Sequence, residues 1–75
     1  IVRFQNVGKK DIYIKKIPLG ASTVAISDTD YEVKLHADPG ESGKGDFFET
    51  NSINAFAAIS MNPGSLLAVY KTKYI

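Results

Sequence analysis

The chain of 75 residues has no cysteine and only one histidine, His36. Disulfide bonds are therefore excluded, and so are the usual zinc sites, which need several cysteine or histidine ligands together. No run of about 18 apolar residues occurs, so the sequence predicts no membrane span. It also lacks a charged, then apolar leader of the secretory kind. We expect no cofactor and no metal.

A chain this short forms one domain, residues 1–75. It buries only roughly 60% of its unfolded surface, so its core is thin. Without disulfides or metals, stability must come from a well-packed β core or from association with other chains, and we expect association. The sequence begins at Ile1 within a strand pattern, which indicates a processed product or part of a longer chain.

Charge is close to balanced overall but is divided along the chain. Residues 1–20 hold five basic residues against one acidic residue, a net charge of +4. Residues 21–60 hold two basic against seven acidic residues (net −5), and residues 61–75 add two lysines. Such complementary patches could steer copies together head to tail or simply form a mixed, soluble surface.

Short runs of alternating apolar and polar residues recur between turns rich in glycine and proline. In the run from Tyr31 to His36, successive side chains point to opposite faces, which is typical of a half-buried antiparallel strand. The sequence therefore predicts an all-β fold, a small antiparallel sandwich or barrel. Seven candidate strands are 1–5, 11–17, 23–27, 31–36, 46–50, 54–61 and 66–70.

Residues 54–61 fit two structures. The alanines at 55, 57 and 58 favour a helix by propensity. However, Phe56 and Met61 lack a helical stripe, so we predict a strand followed by a turn at residues 62–64. The apolar positions of the strands together predict the core: Val2, Phe4, Ile12, Ile14, Val33, Leu35, Phe56, Leu67 and Val69.

Two loops carry residues that resemble ligand sites. The run from Gly40 to Gly45 contains glycines, a serine and a lysine. It lacks the spacing of a phosphate-binding loop and the helix that follows one, so we interpret it as a hairpin loop. Asp28, Asp30 and Glu32 could share a face and hold calcium, but ordinary turn chemistry explains them as well.

No catalytic constellation stands out. His36 is the only side chain that titrates near neutrality. The serines lie in no nucleophile motif, and no cysteine is present. We expect His36 on the solvent face of its strand and predict that the protein is not an enzyme.

The lysines near the N-terminus form a candidate interaction surface. Lysines neutralise phosphates and aromatic rings stack on bases, so this region could bind nucleic acid. Lysines also protect strand edges from aggregation, and the acidic middle of the chain opposes nucleic-acid binding. The candidate residues of this basic region are Lys9, Lys10, Tyr13, Lys15 and Lys16.

Three blocks resemble small β-sandwich modules found among structural proteins of tailed bacteriophages. The turn 6–8 leads into the strand 11–14, a turn at 39–42 follows Leu35, and the alanine-rich run 56–60 precedes the apolar run 66–70. The resemblance implies a virion protein without enzymatic activity, such as a capsid decoration, neck or tail accessory protein. Such modules pack against copies of themselves or a larger shell.

We therefore predict a structural or interaction module that works within an assembly, with a small nucleic-acid-binding barrel as the alternative. Tyrosine is enriched at protein interfaces, so Tyr13, Tyr70 and Tyr74 are candidate interface anchors. The terminal strands offer edges for pairing.

Overall fold

Six β-strands make up the regular structure in the computed structural model, which describes residues 1–38, 40, 44–51, 54–61, 63 and 65–71. Strand formation follows the alternation of apolar and polar side chains, because that pattern gives each strand one face to bury. The strands are β1 Val2–Asn6, β2 Ile12–Lys16, β3 Val33–Leu35, β4 Phe47–Thr50, β5 Phe56–Ile59 and β6 Leu67–Lys71.

The strands form two three-stranded antiparallel sheets that pack together as a sandwich. The first sheet has the order β4–β1–β6, and the second has the order β3–β2–β5. Each sheet therefore has one central strand, β1 in the first and β2 in the second, and two edge strands. The predicted all-β fold is confirmed.

The core lies between β1 and β2. Paired residues on antiparallel strands share a face, so Phe4 and its neighbours Phe48 and Val69 all point inward. The Phe4 ring packs against Phe48 and Phe56, with centroid separations of 6.4 Å and 5.2 Å. The buried apolar residues are Phe4, Ile12, Ile14 and Leu35, with Val2, Val33, Phe48, Phe56 and Leu67 partly buried against them.

Eight of the nine predicted core residues therefore belong to the core, and Val69 does not. Val69 occupies an inward position but stays 51% exposed. It lies on the edge strand β6, and two sheets of three strands are too narrow to cover every inward position. Phe48 takes a core position that the sequence did not assign.

The predicted strand at 23–27 is wrong. Its only pairing with a described residue is an isolated bridge between Ser27 and Asp30, whose backbones exchange hydrogen bonds of 2.9 Å and 3.3 Å. The Ser27 hydroxyl also accepts the Thr29 N–H. This segment therefore uses its hydrogen-bonding groups to close its own turn rather than to join a sheet.

The predicted strand 31–36 is shortened to β3 by a β-bulge. Val33 pairs with Ile14, and the Glu32 N–H also donates to the Ile14 carbonyl at 3.0 Å. Two residues opposite one partner interrupt the alternation. Tyr31 consequently lies on the outer face, against the Tyr13 ring, and not in the core where the unbroken alternation would place it.

The strand prediction for residues 54–61 is confirmed by β5. β5 pairs with β2 from Tyr13↔Ile59 to Lys16↔Phe56, which supplies the backbone bonds that a helix would otherwise make internally. The predicted turn at 62–64 lies largely outside the described residues.

Asn6 is the one polar residue that is fully buried among the described residues, with no exposed surface. Its side-chain N–H groups donate to the Lys10 carbonyl at 2.7 Å and the Leu35 carbonyl at 2.9 Å. Its side-chain oxygen accepts the Gly8 N–H at 3.1 Å. A buried amide is tolerated only when its polar atoms are paired, and here both are. Asn6 therefore ties β1 to the β1–β2 turn and to the end of β3.

The backbone at Gly45 closes against the same corner. A Cβ atom at position 45 would lie 2.6 Å from the Asn6 carbonyl oxygen and 2.7 Å from the His36 carbonyl oxygen. The next residue, Asp46, donates its N–H to His36 and accepts the Asn6 N–H, each at 2.9 Å. Glycine is required here because the two backbone oxygens leave no room for a side chain.

We predict that Gly45→Ala lowers the free energy of unfolding by about 2 to 3 kcal/mol, because the methyl group must displace backbone atoms rather than a flexible side chain. Gly40→Ala is the matched control: among the described residues, its Cβ would meet the Asp38 carboxylate alone, at an ordinary 3.5 Å. The control should change stability by no more than about 0.5 kcal/mol. Urea unfolding measures both, and equal effects would contradict the close approach at Gly45.

Candidate interaction surfaces

The outer face of the second sheet carries a cluster of tyrosines and lysines: Tyr13, Lys15, Tyr31 and Lys34, here called the tyrosine–lysine face. The rings of Tyr13 and Tyr31 are 4.9 Å apart and tilted by 54°. The Lys34 ammonium lies 5.4 Å from the centre of the Tyr13 ring, which is a cation–π distance. The aromatic surface is therefore flanked by a cation.

The lysines of this face are engaged by acidic groups of the same chain. The Lys15 ammonium lies 2.7 Å from the Asp30 carboxylate, and the Lys34 ammonium lies 3.6 Å from the Asp11 carboxylate. The basic N-terminal region and the acidic middle region thus meet within one molecule. This contact reduces the charge that the face presents to a partner.

Asp11 gathers three groups. It accepts the Ala37 N–H at 3.0 Å, and its other oxygen lies 3.6 Å from Lys34 and 3.8 Å from His36 Nδ1. The Ala37 hydrogen bond is the main cause that holds the pKa of Asp11 below its ordinary value; burial opposes it, and the charges of His36 and Lys34 lower the pKa further. The pKa of Lys34 is raised, first by its electrostatic interaction with Tyr13 and then by that with Asp11, while burial opposes the rise.

The outer face of the first sheet is different: it carries Arg3, Phe47 and Tyr70, here called the arginine–aromatic face. The Arg3 guanidinium carbon lies 4.0 Å from the centre of the Phe47 ring, and Arg3 pairs in register with Tyr70. Phe47 and Tyr70 are each 51% exposed. Among the described residues the Arg3 Nε is buried without a hydrogen-bond partner.

The predicted interface residues do not form one surface. Tyr13 and Lys15 lie on the tyrosine–lysine face, whereas Tyr70 lies on the opposite side of the sandwich. Lys9 and Lys10 are exposed in the β1–β2 turn, Lys16 is exposed at the end of β2, and Tyr74 lies outside the described residues. Arg3 and Phe47 were not predicted as interface residues. Their only signal in the sequence is that they alternate with inward-facing residues along β1 and β4.

Two small clefts open between the sheets. One, of about 210 Å³, is lined mainly by the apolar side chains of Ile14, Val33, Phe48 and Phe56, with Lys16, Glu32 and Thr50 at its polar side. The Glu32 carboxylate there accepts the Lys16 backbone N–H. The other, of about 230 Å³, lies beside Ile12, Ala58, Ile59, Ser60, Ser65 and Leu67. Both are smaller than ordinary ligand sites, which measure about 300 to 1,000 Å³.

His36, Asp28 and Asp30 do not line these clefts, whereas Glu32 lines the first of them. His36 is exposed, with 62% of its side chain accessible; its Nδ1 lies 3.8 Å from the Asp11 carboxylate, and its backbone N–H donates to the Asp46 carboxylate at 3.1 Å. Asp30 pairs with Lys15, while Glu32 binds the Lys16 backbone, so the two carboxylates serve different partners. Over the described part of the chain, no group of three or more His, Asp or Glu residues could hold a metal ion.

No protein-family model matches the chain, and neither a curated protein nor a solved structure does. Within the described ranges, no helix is long and apolar enough to cross a membrane. The geometry therefore defines a β-sandwich with two dissimilar outer faces, and the function must be inferred from those faces and the strand edges.

We predict that acid weakens the fold partly through Asp11. Because its pKa is lowered in the folded state, Asp11 adds stability above its ordinary value of 3.8, and that stability is lost as the pH falls below this value. Asp11→Asn should therefore reduce the loss of unfolding free energy that occurs as the pH falls from neutral to below 3.8. Asp28→Asn, a change of equal charge at an exposed turn residue, is the control. Equal pH profiles for Asp11→Asn and the unmodified chain would refute this role.

Proposed function

We propose that this chain is a non-enzymatic structural module that packs through protein–protein contacts into a larger assembly containing further copies of itself. One observation carries the proposal. Only four apolar residues of the described part are buried, whereas seven large apolar side chains remain 41% to 69% exposed. A soluble domain that exposes this much apolar surface relative to its core gains stability by covering it.

The exposed side chains are of the kind that anchor interfaces. Phe47 and Tyr70 lie on one outer face beside Arg3, and aromatic residues and arginine are enriched where proteins bind each other. Rings lose little conformational entropy on binding because few bonds rotate. The arginine–aromatic face and the neighbouring edge strand β6 are thus the best-suited contact region.

The assembly we propose is the virion of a tailed bacteriophage, in which the chain serves as a capsid decoration, neck or tail accessory protein. The support for this part is the resemblance of the turns and strands described above. The 6–8 turn that contributes to it is built around the buried Asn6 side chain, which accepts the Gly8 N–H. A small sandwich held by such turns suits a repeated packing unit.

A nucleic-acid-binding barrel is the alternative function, and its lysines are only partly available. Lys9, Lys10 and Lys16 are exposed, but Lys15 is paired with Asp30. Acidic side chains beside a phosphate-binding surface oppose binding, so protein packing is the better-supported function. A filter-binding titration separates the two, because phosphate contacts make affinity fall steeply as salt rises.

We predict that the 75-residue chain sediments as a dimer or larger species that persists at high salt, because apolar contacts are not screened by ions. Tyr70→Ala should weaken this association about tenfold. Leu19→Ala is the control, since Leu19 is more exposed (69%) but lies in the turn after β2. A monomer at every concentration in both low and high salt would contradict the proposal.

A further inference from the structure

The edge strand β6 presents a complete set of backbone hydrogen-bonding groups to its open side. The Val7 N–H donates to the Leu66 carbonyl at 3.0 Å, which fixes the side of β6 that faces β1. Because this orientation alternates along a strand, Ala68 and Tyr70 also bond towards β1, and Leu67, Val69 and Lys71 point their backbone groups away from it. Within the described residues β6 pairs only with β1.

The central side chains of β6 do not protect this edge. Proteins guard open edges with charged residues, proline or bulges. The register of β6 against β1 is regular from Leu67 to Lys71, and its central residues are Ala68, Val69 and Tyr70. Val69 and Tyr70, on opposite faces, are each 51% exposed. The edge thus offers backbone groups that no described residue pairs with, and apolar side chains on each face.

We infer that a second copy of this chain pairs with this edge, β6 against β6 in antiparallel orientation, with the two-fold axis at Val69. The inference rests on the proposed function and names the contact through which two copies associate. In this register Val69 faces Val69 of the second copy, and Leu67 faces Lys71. All five residues of β6 are used, and the residues whose backbone groups point outward are the ones that bond.

The side chains fit the same register. Tyr70 lies opposite Ala68 of the second copy on the outer face. The two-fold axis repeats this contact, so at two equivalent positions a large ring packs beside a small methyl group. On the inner face, the two Val69 side chains cover each other where the second sheet leaves them exposed. The product is one six-stranded sheet, and it is an isologous contact because each copy contributes the same patch.

The absence of native cysteine makes a direct test available. In a bonded antiparallel pair the facing Cα atoms are about 5.5 Å apart, which is within the range of a disulfide. We expect Val69→Cys to form a disulfide-linked dimer under mild oxidation. Residues offset by two positions lie about 7 to 8 Å apart, so Ala68→Cys should link far more slowly. Phe47→Cys, on strand β4, is the control with the same exposure as Val69.

A second variant tests the hydrogen bonds without a cross-link. Val69→Pro removes an N–H that points to the open side, so the β1–β6 ladder keeps its bonds and the far-ultraviolet spectrum of the monomer should be retained. We expect the dissociation constant of the dimer to rise by about tenfold or more. Ala68→Pro is the contrasting variant: it removes a bond to β1 and should disrupt the fold.

The outcomes separate this inference from the proposed function. Rapid linkage of Val69→Cys together with weakened association of Val69→Pro supports the β6 pairing. Oligomers that persist in Val69→Pro, or that link through Phe47→Cys instead, overturn the β6 pairing and leave the assembly function standing. A chain that remains monomeric in all conditions overturns both.

Discussion

The buried side chain of Asn6 is the interaction on which the rest of the sandwich depends. It has no exposed surface, and its three hydrogen bonds reach Gly8, Lys10 and Leu35. Its backbone N–H binds Asp46, the residue before β4. One side chain therefore joins the central strand of the first sheet to the turn between β1 and β2 and to β3, an edge strand of the second sheet. Leaving a buried amide unpaired costs about 1 to 3 kcal/mol, so the arrangement is restrictive.

The first sheet is packed unequally: tightly around Asn6 and loosely along β6. Around Asn6 the backbone is closely packed, to the point that Gly45 has no room for a side chain. Two residues further back along β1, Phe4 still contributes to the core, but its register partner Val69 is left half exposed on β6. The sandwich is thus closed at one corner and incomplete at an edge. The proposed assembly function follows from this inequality, because the incomplete edge is where a second chain would add most.

Features set by neighbouring residues could be predicted from the sequence, and features set by distant contacts could not. The turn at Asn6 depends on a side chain that bonds two residues ahead, and it is readable from its residues. The bulge at Glu32 depends on how β3 meets Ile14, so alternation alone placed Tyr31 on the wrong face. The exposure of Val69 depends on the width of the opposing sheet, which no local pattern encodes. The cation–π contact of Arg3 with Phe47 was missed because it joins residues of two strands that are far apart in the sequence.

Amide hydrogen exchange at low and high protein concentration tests the central claim, that the fold is closed at Asn6 and open at β6, most directly. The Asn6 N–H, bonded to Asp46, should exchange slowly at both concentrations. The Val69 N–H, which points to the open edge, should exchange rapidly in dilute solution and become protected as copies associate. Exchange at Val69 that does not depend on concentration, or rapid exchange at Asn6, would contradict the account.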